Sequence, residues 1–129
     1  MELIWQEKGT KNCGQICVAM ITGFPLNEVE ELYGHNSYTN MVDAKGILEG
    51  LGYTVGDIVK VDNRKKYELP RLAFVRICRH GRKYGHFVVH YDGKFYNSTE
   101  GIYPTRAKFD THNKEKGYRI SHYMEVETI

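Results

Sequence analysis

Gly85-His86-Phe87-Val88-Val89-His90-Tyr91-Asp92-Gly93-Lys94-Phe95-Tyr96-Asn97 is the stretch that decides how this chain is read. Two runs rich in branched and aromatic residues flank Asp92-Gly93, and Asp-Gly suits a two-residue hairpin turn because both of its central positions need positive φ. That turn sets the register: Tyr91 faces Lys94, His90 faces Phe95 and Val88 faces Asn97. Side chains alternate along a strand, so His86, Val88 and His90 share one face, and Asn97 joins them. His86 and Asn97 become diagonal cross-strand neighbours with backbones ~7–8 Å apart. An amide oxygen at that place can hold an imidazole in one tautomer. Thr99 falls opposite His86 if the pairing extends so far, and a one-residue slip sends Asn97 to the other face.

An oriented imidazole is half of a nucleophilic site, and the first helix supplies the other half. Asn12 can cap it, with Gln15 three residues on completing a box. Cys13, Ile16, Cys17, Met20 and Ile21 form one apolar stripe, and Gly23 with Pro25 ends the helix. Cys13 stands at the first helical position, where free backbone N–H groups and the helix dipole favour a thiolate. Cys17 lies one turn inside and reads as core, as does Cys78. The face carrying His86 and Asn97 is expected to be the one against which this helix packs. Acyl chemistry also needs donors for an oxyanion; the N–H of Cys13 is one, and the amide of Gln6 is suited to be the second.

The remaining histidines read otherwise. His122 falls on the apolar face of the last strand as a core residue, His35 and His112 lie in polar loop sequence, and His80 belongs to a basic loop. His90 has only Phe95 opposite it.

Further helices are expected over Leu26 to Tyr33 and Met41 to Leu51, the latter burying Val42, Ile47, Leu48 and Leu51. A broken strand covers Tyr53 to Val61, a turn Arg64 to Lys66, and a strand Leu72 to Cys78. The last strand runs from Tyr118 to Val126, with Tyr118, Ile120, Met124 and Val126 on one face. Helices first and antiparallel strands afterwards predict an α+β fold, N-terminal helices packed on a C-terminal sheet.

Composition sets the outer limits. With 129 residues, 41% hydrophobic and 26% charged, the chain suits one domain, residues 1–129, with its own core. Three cysteines and no secretory signal point to reduced thiols and a cytoplasmic setting, and no apolar run suits a membrane span. Net charge is +2, yet from Lys60 to Lys83 nine Lys or Arg face only Asp62 and Glu68. Such a surface reads either as solvated edge protection or as a site for a negatively charged substrate or partner. No motif supports nucleic acid.

Taken together these pieces resemble the papain-like cysteine peptidases, on the side of the double-glycine leader peptidases of bacteriocin export. The resemblance rests on Gln6, on Asn12-Cys13-Gly14 opening a helix, on Leu51-Gly52-Tyr53 ending another, and on Gly85-His86 followed by Phe95-Tyr96-Asn97. It implies Cys13 as nucleophile, His86 as general base, Asn97 as its orienting group and Gln6 in the oxyanion hole. It implies a hydrolase of peptide or protein substrates that needs no cofactor and no metal. The leader peptidases usually carry an aspartate, often followed by proline, where this chain has Asn97-Ser98; papain itself uses asparagine. Arg79, Arg82 and Lys83, just before His86, are expected to border the site and favour acidic flanks. An acyl transferase or deamidase would use the same residues, and a catalytically silent binding or effector protein would keep only the scaffold. A zinc site built from Cys13, Cys17, Cys78 and His80 fits poorly, because two of the four lie along one helix.

Overall fold

The first helix, α1, spans Cys13–Thr22, and every residue of it but Thr22 is buried. The computed structural model describes residues 1–128 and shows why. Helices α2 (Leu26–Tyr33) and α3 (Met41–Gly50) cover α1 on one side and an antiparallel sheet covers it on the other, so it is buried all round rather than along one stripe. The expected capping box does not form. Asn12 Nδ2 donates to Glu30 Oε1 at 3.3 Å, and Gln15 Nε2 donates to the carbonyls of His35 and Ser37 at 3.2 and 3.0 Å. Both side chains are drawn into contacts with the segment that closes over the start of α1. In α3 the inward residues are Met41, Ala44 and Leu48, while Val42 is 68% exposed. Ala44, small enough to be overlooked, completes the i, i+3, i+7 face that leaves Val42 outside.

The strands are β1 (Thr54–Val55), β2 (Val59–Lys60), β3 (Leu72–Arg79), β4 (His86–Tyr91), β5 (Lys94–Asn97), β6 (Gly101–Tyr103) and β7 (Tyr118–Glu127). Their order is β1-β7-β3-β4-β5-β6, with β2 also paired to β7, and every pairing is antiparallel. The hairpin of β4 and β5 has the expected register, His90 opposite Phe95 and Tyr91 opposite Lys94, with φ of 49° at Asp92 and 79° at Gly93. The pairing does not reach Thr99, where the chain turns instead and the Glu100 N–H closes on the Asn97 carbonyl.

Two features depart from the sequence reading. The pairing of β3 with β7 shifts between Arg76, opposite His122, and Ile77, opposite Ile120, so Ser121 is an extra residue that reverses the alternation. Tyr118 and Ile120 therefore face one side of the sheet, and Met124 and Val126 the other. The second feature is a fourth helix, α4 (Arg106–Lys116), capped by the Thr105 side chain, which accepts from the Lys108 N–H. It carries almost no apolar pattern. Phe109 is its buried apolar anchor, stacked 3.9 Å from the Phe95 ring in the cluster of Val88 and Ile120, and Asn113 is buried one turn on.

The sheet is thus covered on both faces. Helices α1 to α3 lie against Phe74, Phe87, Val89, Tyr96 and Met124, and α4 lies against Val75, Ile77, Val88 and Phe95. His86, Val88 and His90 belong to the α4 face, so the Cys13 helix packs on the face opposite to the one expected.

Candidate active site

His86 opens β4, and its Nε2 lies 2.9 Å from Asn97 Oδ1. The same oxygen accepts from the Thr99 N–H at 3.0 Å and the Thr99 hydroxyl at 2.9 Å. A backbone N–H can only donate, so the atom it meets is the amide oxygen and not the nitrogen. Asn97 Oδ1 must then accept from His86 as well, which places the proton on Nε2 and leaves Nδ1 with a free lone pair. Burial lowers the pKa of His86 below its usual value, against the opposing influence of the Asn97 bond and the Glu100 charge. At neutral pH the ring is an uncharged base with one acceptor nitrogen.

Cys13 lies one residue away along the strand. Its thiol is approached by the backbone N–H groups of Phe87, Gly14 and Cys13 itself. Gly14 permits this closeness, since a Cβ there would run into the Thr39 methyl and sit 3.4 Å from the Phe87 ring. The thiol and the imidazole therefore come from opposite faces to the same end of β4. The expected thiolate is not the resting form: Cys13 is 8% exposed, and burial raises its pKa despite those N–H groups. Desolvation of the anion outweighs the helix start until something withdraws the proton. Cys17 is wholly buried and its pKa is raised further, as suits a core residue.

Gln6 is tied to the same end of the hairpin. Its N–H donates to the Ser98 carbonyl at 2.9 Å, and its side-chain oxygen accepts from the Ser98 hydroxyl at 3.0 Å. Its Nε2 gives one proton to the Thr10 carbonyl at 2.8 Å. One amide proton is left over.

Cys13 stands at the wall of an open cleft of about 600 Å³, between the start of α3 and the strands β3 and β7. Lys11, Tyr38, Asp43, Arg76, Lys83 and His122 also line it. Tyr38 and Tyr84 stack face to face at 4.0 Å on its rim. Of the three loop cations singled out in the sequence, Lys83 borders this cleft. Arg79 lies over the Tyr118 ring, 4.5 Å from its centre, beside a smaller cavity of about 170 Å³ behind His86, and Arg82 lines a third hollow. Glu100 in the smaller cavity pairs with Lys116 and lies 3.6 Å from His112 Nε2.

Other histidines differ from the sequence reading. His122 is half-buried and lines the Cys13 cleft, because the extra residue Ser121 turns it away from the Ile120 side. His112 is half-buried on α4 and not in a loop. Sequence reasoning also passed over Arg76, although it is the one charge in the apolar run Leu72 to Cys78. Among the described residues no three His, Cys, Asp or Glu gather as a metal-holding group, and no helix is long and apolar enough to cross a membrane.

No family model matches the sequence, and no curated protein matches it either. Among solved structures, the fold is similar to the peptidase domain of Streptococcus ComA, a bifunctional ABC transporter involved in a quorum-sensing pathway. The match has a TM-score of 0.67 and 14% identity, and it covers 99% of this chain and 98% of that one. At that identity the likeness is one of fold, and it agrees with the resemblance read from the motifs: the chain has the α+β fold of a papain-like peptidase domain.

Proposed function

We propose that the chain is a cysteine hydrolase that attacks amide or related acyl carbons, with residues 1–129 acting as one domain in the cytoplasm. The observation that carries the reading is the bond between His86 Nε2 and Asn97 Oδ1, because it leaves Nδ1 as the base at the end of β4 where Cys13 lies. In this reading Cys13 Sγ bonds to the substrate carbonyl carbon while its proton passes to His86 Nδ1. The oxyanion takes the Cys13 N–H and the free amide proton of Gln6. The imidazolium then protonates the leaving amine, and the C–N bond breaks to give a thioester. His86 next removes a proton from water, the hydroxide attacks the thioester, and the acid product leaves as Cys13 regains its proton. The substrate is a peptide or protein, and of the three loop cations Lys83, which lines the Cys13 cleft, favours acidic flanks there.

The test is alkylation of Cys13 by iodoacetamide at neutral pH, read by mass spectrometry, together with turnover of an unbiased peptide library and capture of substrate by Cys13→Ala. Selective modification of Cys13, dependent on His86, supports the reading. An inert Cys13, or labelling at Cys17 instead, overturns it. One observation favours a second reading, a silent binding protein on the same scaffold: the raised pKa of Cys13 together with the Gln6 amide engaged on Thr10. That reading expects Cys13 to stay unmodified while the Cys13→Ala and wild-type proteins capture the same partner equally well. Transfer to an amine in place of water would appear in the same library as coupled product.

A further inference from the structure

We infer that Arg76 makes the Cys13 cleft a carboxylate-recognition site, selecting substrates with a carboxylate close to the attacked carbonyl; as a statement about substrate this rests on the hydrolase reading above. The run Leu72 to Cys78 is apolar but for this arginine, which interrupts an otherwise buried strand. Alternation from Phe74 sets it on the α1 face, where it lines the cleft with Cys13.

The guanidinium is held rather than loose. Its Nη1 donates to Ser121 Oγ at 2.8 Å, and that oxygen also lies 3.3 Å from the Arg76 carbonyl oxygen and 3.0 Å from His122 Nδ1, so the guanidinium is tied to β7 at a fixed point. Ser121 is the extra residue in β7, and it is the bulge that brings its hydroxyl there. From the other side the backbone of Gly85 closes directly on the guanidinium. A Cβ at Gly85 would sit 2.8 Å from Arg76 Nε and 2.9 Å from its Cζ, besides 2.7 Å from the Ile77 carbonyl oxygen. The glycine before His86 is thus required first by the Ile77 carbonyl and then by the guanidinium packed beside it.

No ion pair among the described residues includes Arg76. The other charged or titratable groups of the cleft are Lys11, Lys83, His122 and Asp43. Lys11 and Lys83 lie at the rim against the stacked rings of Tyr38 and Tyr84, at 5.6 and 5.3 Å from their centres. Asp43 is the one acid against three cations. A pre-oriented guanidinium without an acidic partner, in a cleft that excludes part of the solvent, is matched by a carboxylate, which takes two of its parallel N–H groups. The substrate class that fits is an acyl compound with an acidic side chain or a free carboxyl terminus near the reacting bond.

The experiment uses thiol alkylation, so it needs no known substrate. N-iodoacetylglycine and its uncharged amide, N-iodoacetylglycinamide, are compared at Cys13, each rate divided by that for a small neutral thiol. The expected preference for the carboxylate is about tenfold. It falls toward none in Arg76→Gln and at about 0.5 M salt, and it is partly kept in Arg76→Lys. Ser121→Ala, which frees the guanidinium without removing it, lowers the preference and carries the test should Arg76→Gln fail to fold. An equal ratio in the wild type overturns the anion site while leaving the hydrolase reading intact. A preference lost in Lys83→Gln and kept in Arg76→Gln overturns the assignment to Arg76. A Cys13 inert to both reagents removes the hydrolase reading and this inference together.

Discussion

Replacing Asn97 by alanine removes three hydrogen bonds at one oxygen, and the structure separates what each was worth. Two of the donors, the Thr99 N–H and the His86 ring N–H, lose their partner in a buried place, Asn97 being 3% exposed. A buried donor left unpaired costs ~1–3 kcal/mol, but the neighbouring 170 Å³ cavity is polar and roomy enough to admit water. The loss of stability should therefore lie at the low end, about 2 kcal/mol in all. The kinetic effect has another origin. A bond from a neutral ring is worth ~0.5–1.5 kcal/mol and one from a charged ring ~1.5–3, and the ring gains charge only as Cys13 attacks. The difference lowers kcat by about tenfold with little change in KM, and loss of the fixed tautomer adds a further factor of a few. The pH dependence has a definite sign. The Asn97 bond holds the His86 pKa up against burial, so its removal lets the pKa fall further and moves the acid limb of Cys13 alkylation to lower pH. Asn97→Asp does the reverse, since a carboxylate favours the imidazolium. The assays are the pH profile of iodoacetamide alkylation and the ring resonances of His86. An acid limb that stays in place in both variants, or moves the same way in both, refutes the role given to Asn97.

Three further expectations concern stability. Cys13→Ala should abolish chemistry with little change in melting temperature, whereas Cys17→Ser, at a wholly buried position, should cost ~1–3 kcal/mol; equal melting temperatures would contradict the division between the two cysteines. Phe109→Ala should cost ~3–5 kcal/mol by denaturant titration, because that ring is the buried apolar anchor of α4 against Phe95, and a loss under about 1 kcal/mol would mean that α4 is held otherwise. Burial lowers the folded-state pKa of His86, His90 and His122 below the ordinary 6.5. The unfolded chain then takes up protons first, so stability is full above about pH 6.5 and declines as the pH falls toward the folded-state values. Melting followed from about pH 7.5 to 5.5 should show this decline, and a rise over that range would contradict it.

Local sequence determined the local objects. Asp92-Gly93 admits one tight turn, and the period of two then dictates that His86 and Asn97 share a face; no distant part of the chain is needed for that inference. The bounds of α2 and the burial of Cys17 follow likewise from short-range pattern and from the glycines that end helices. Tertiary structure alone decided what covers each face. Helix α4 lacks an apolar stripe, and its one buried apolar side chain is an aromatic ring that meets another, so no periodicity announces it. Without it the sheet reads as one-sided, and α1 is placed on the face of His86. The alternation of β7 is broken by a bulge in its pairing with β3, which turns His122 into the Cys13 cleft and sets the Ser121 hydroxyl against Arg76. The state of Cys13 was likewise beyond the sequence. A helix start favours an anion and burial opposes it, and only the packed neighbours determine that desolvation prevails in the resting protein.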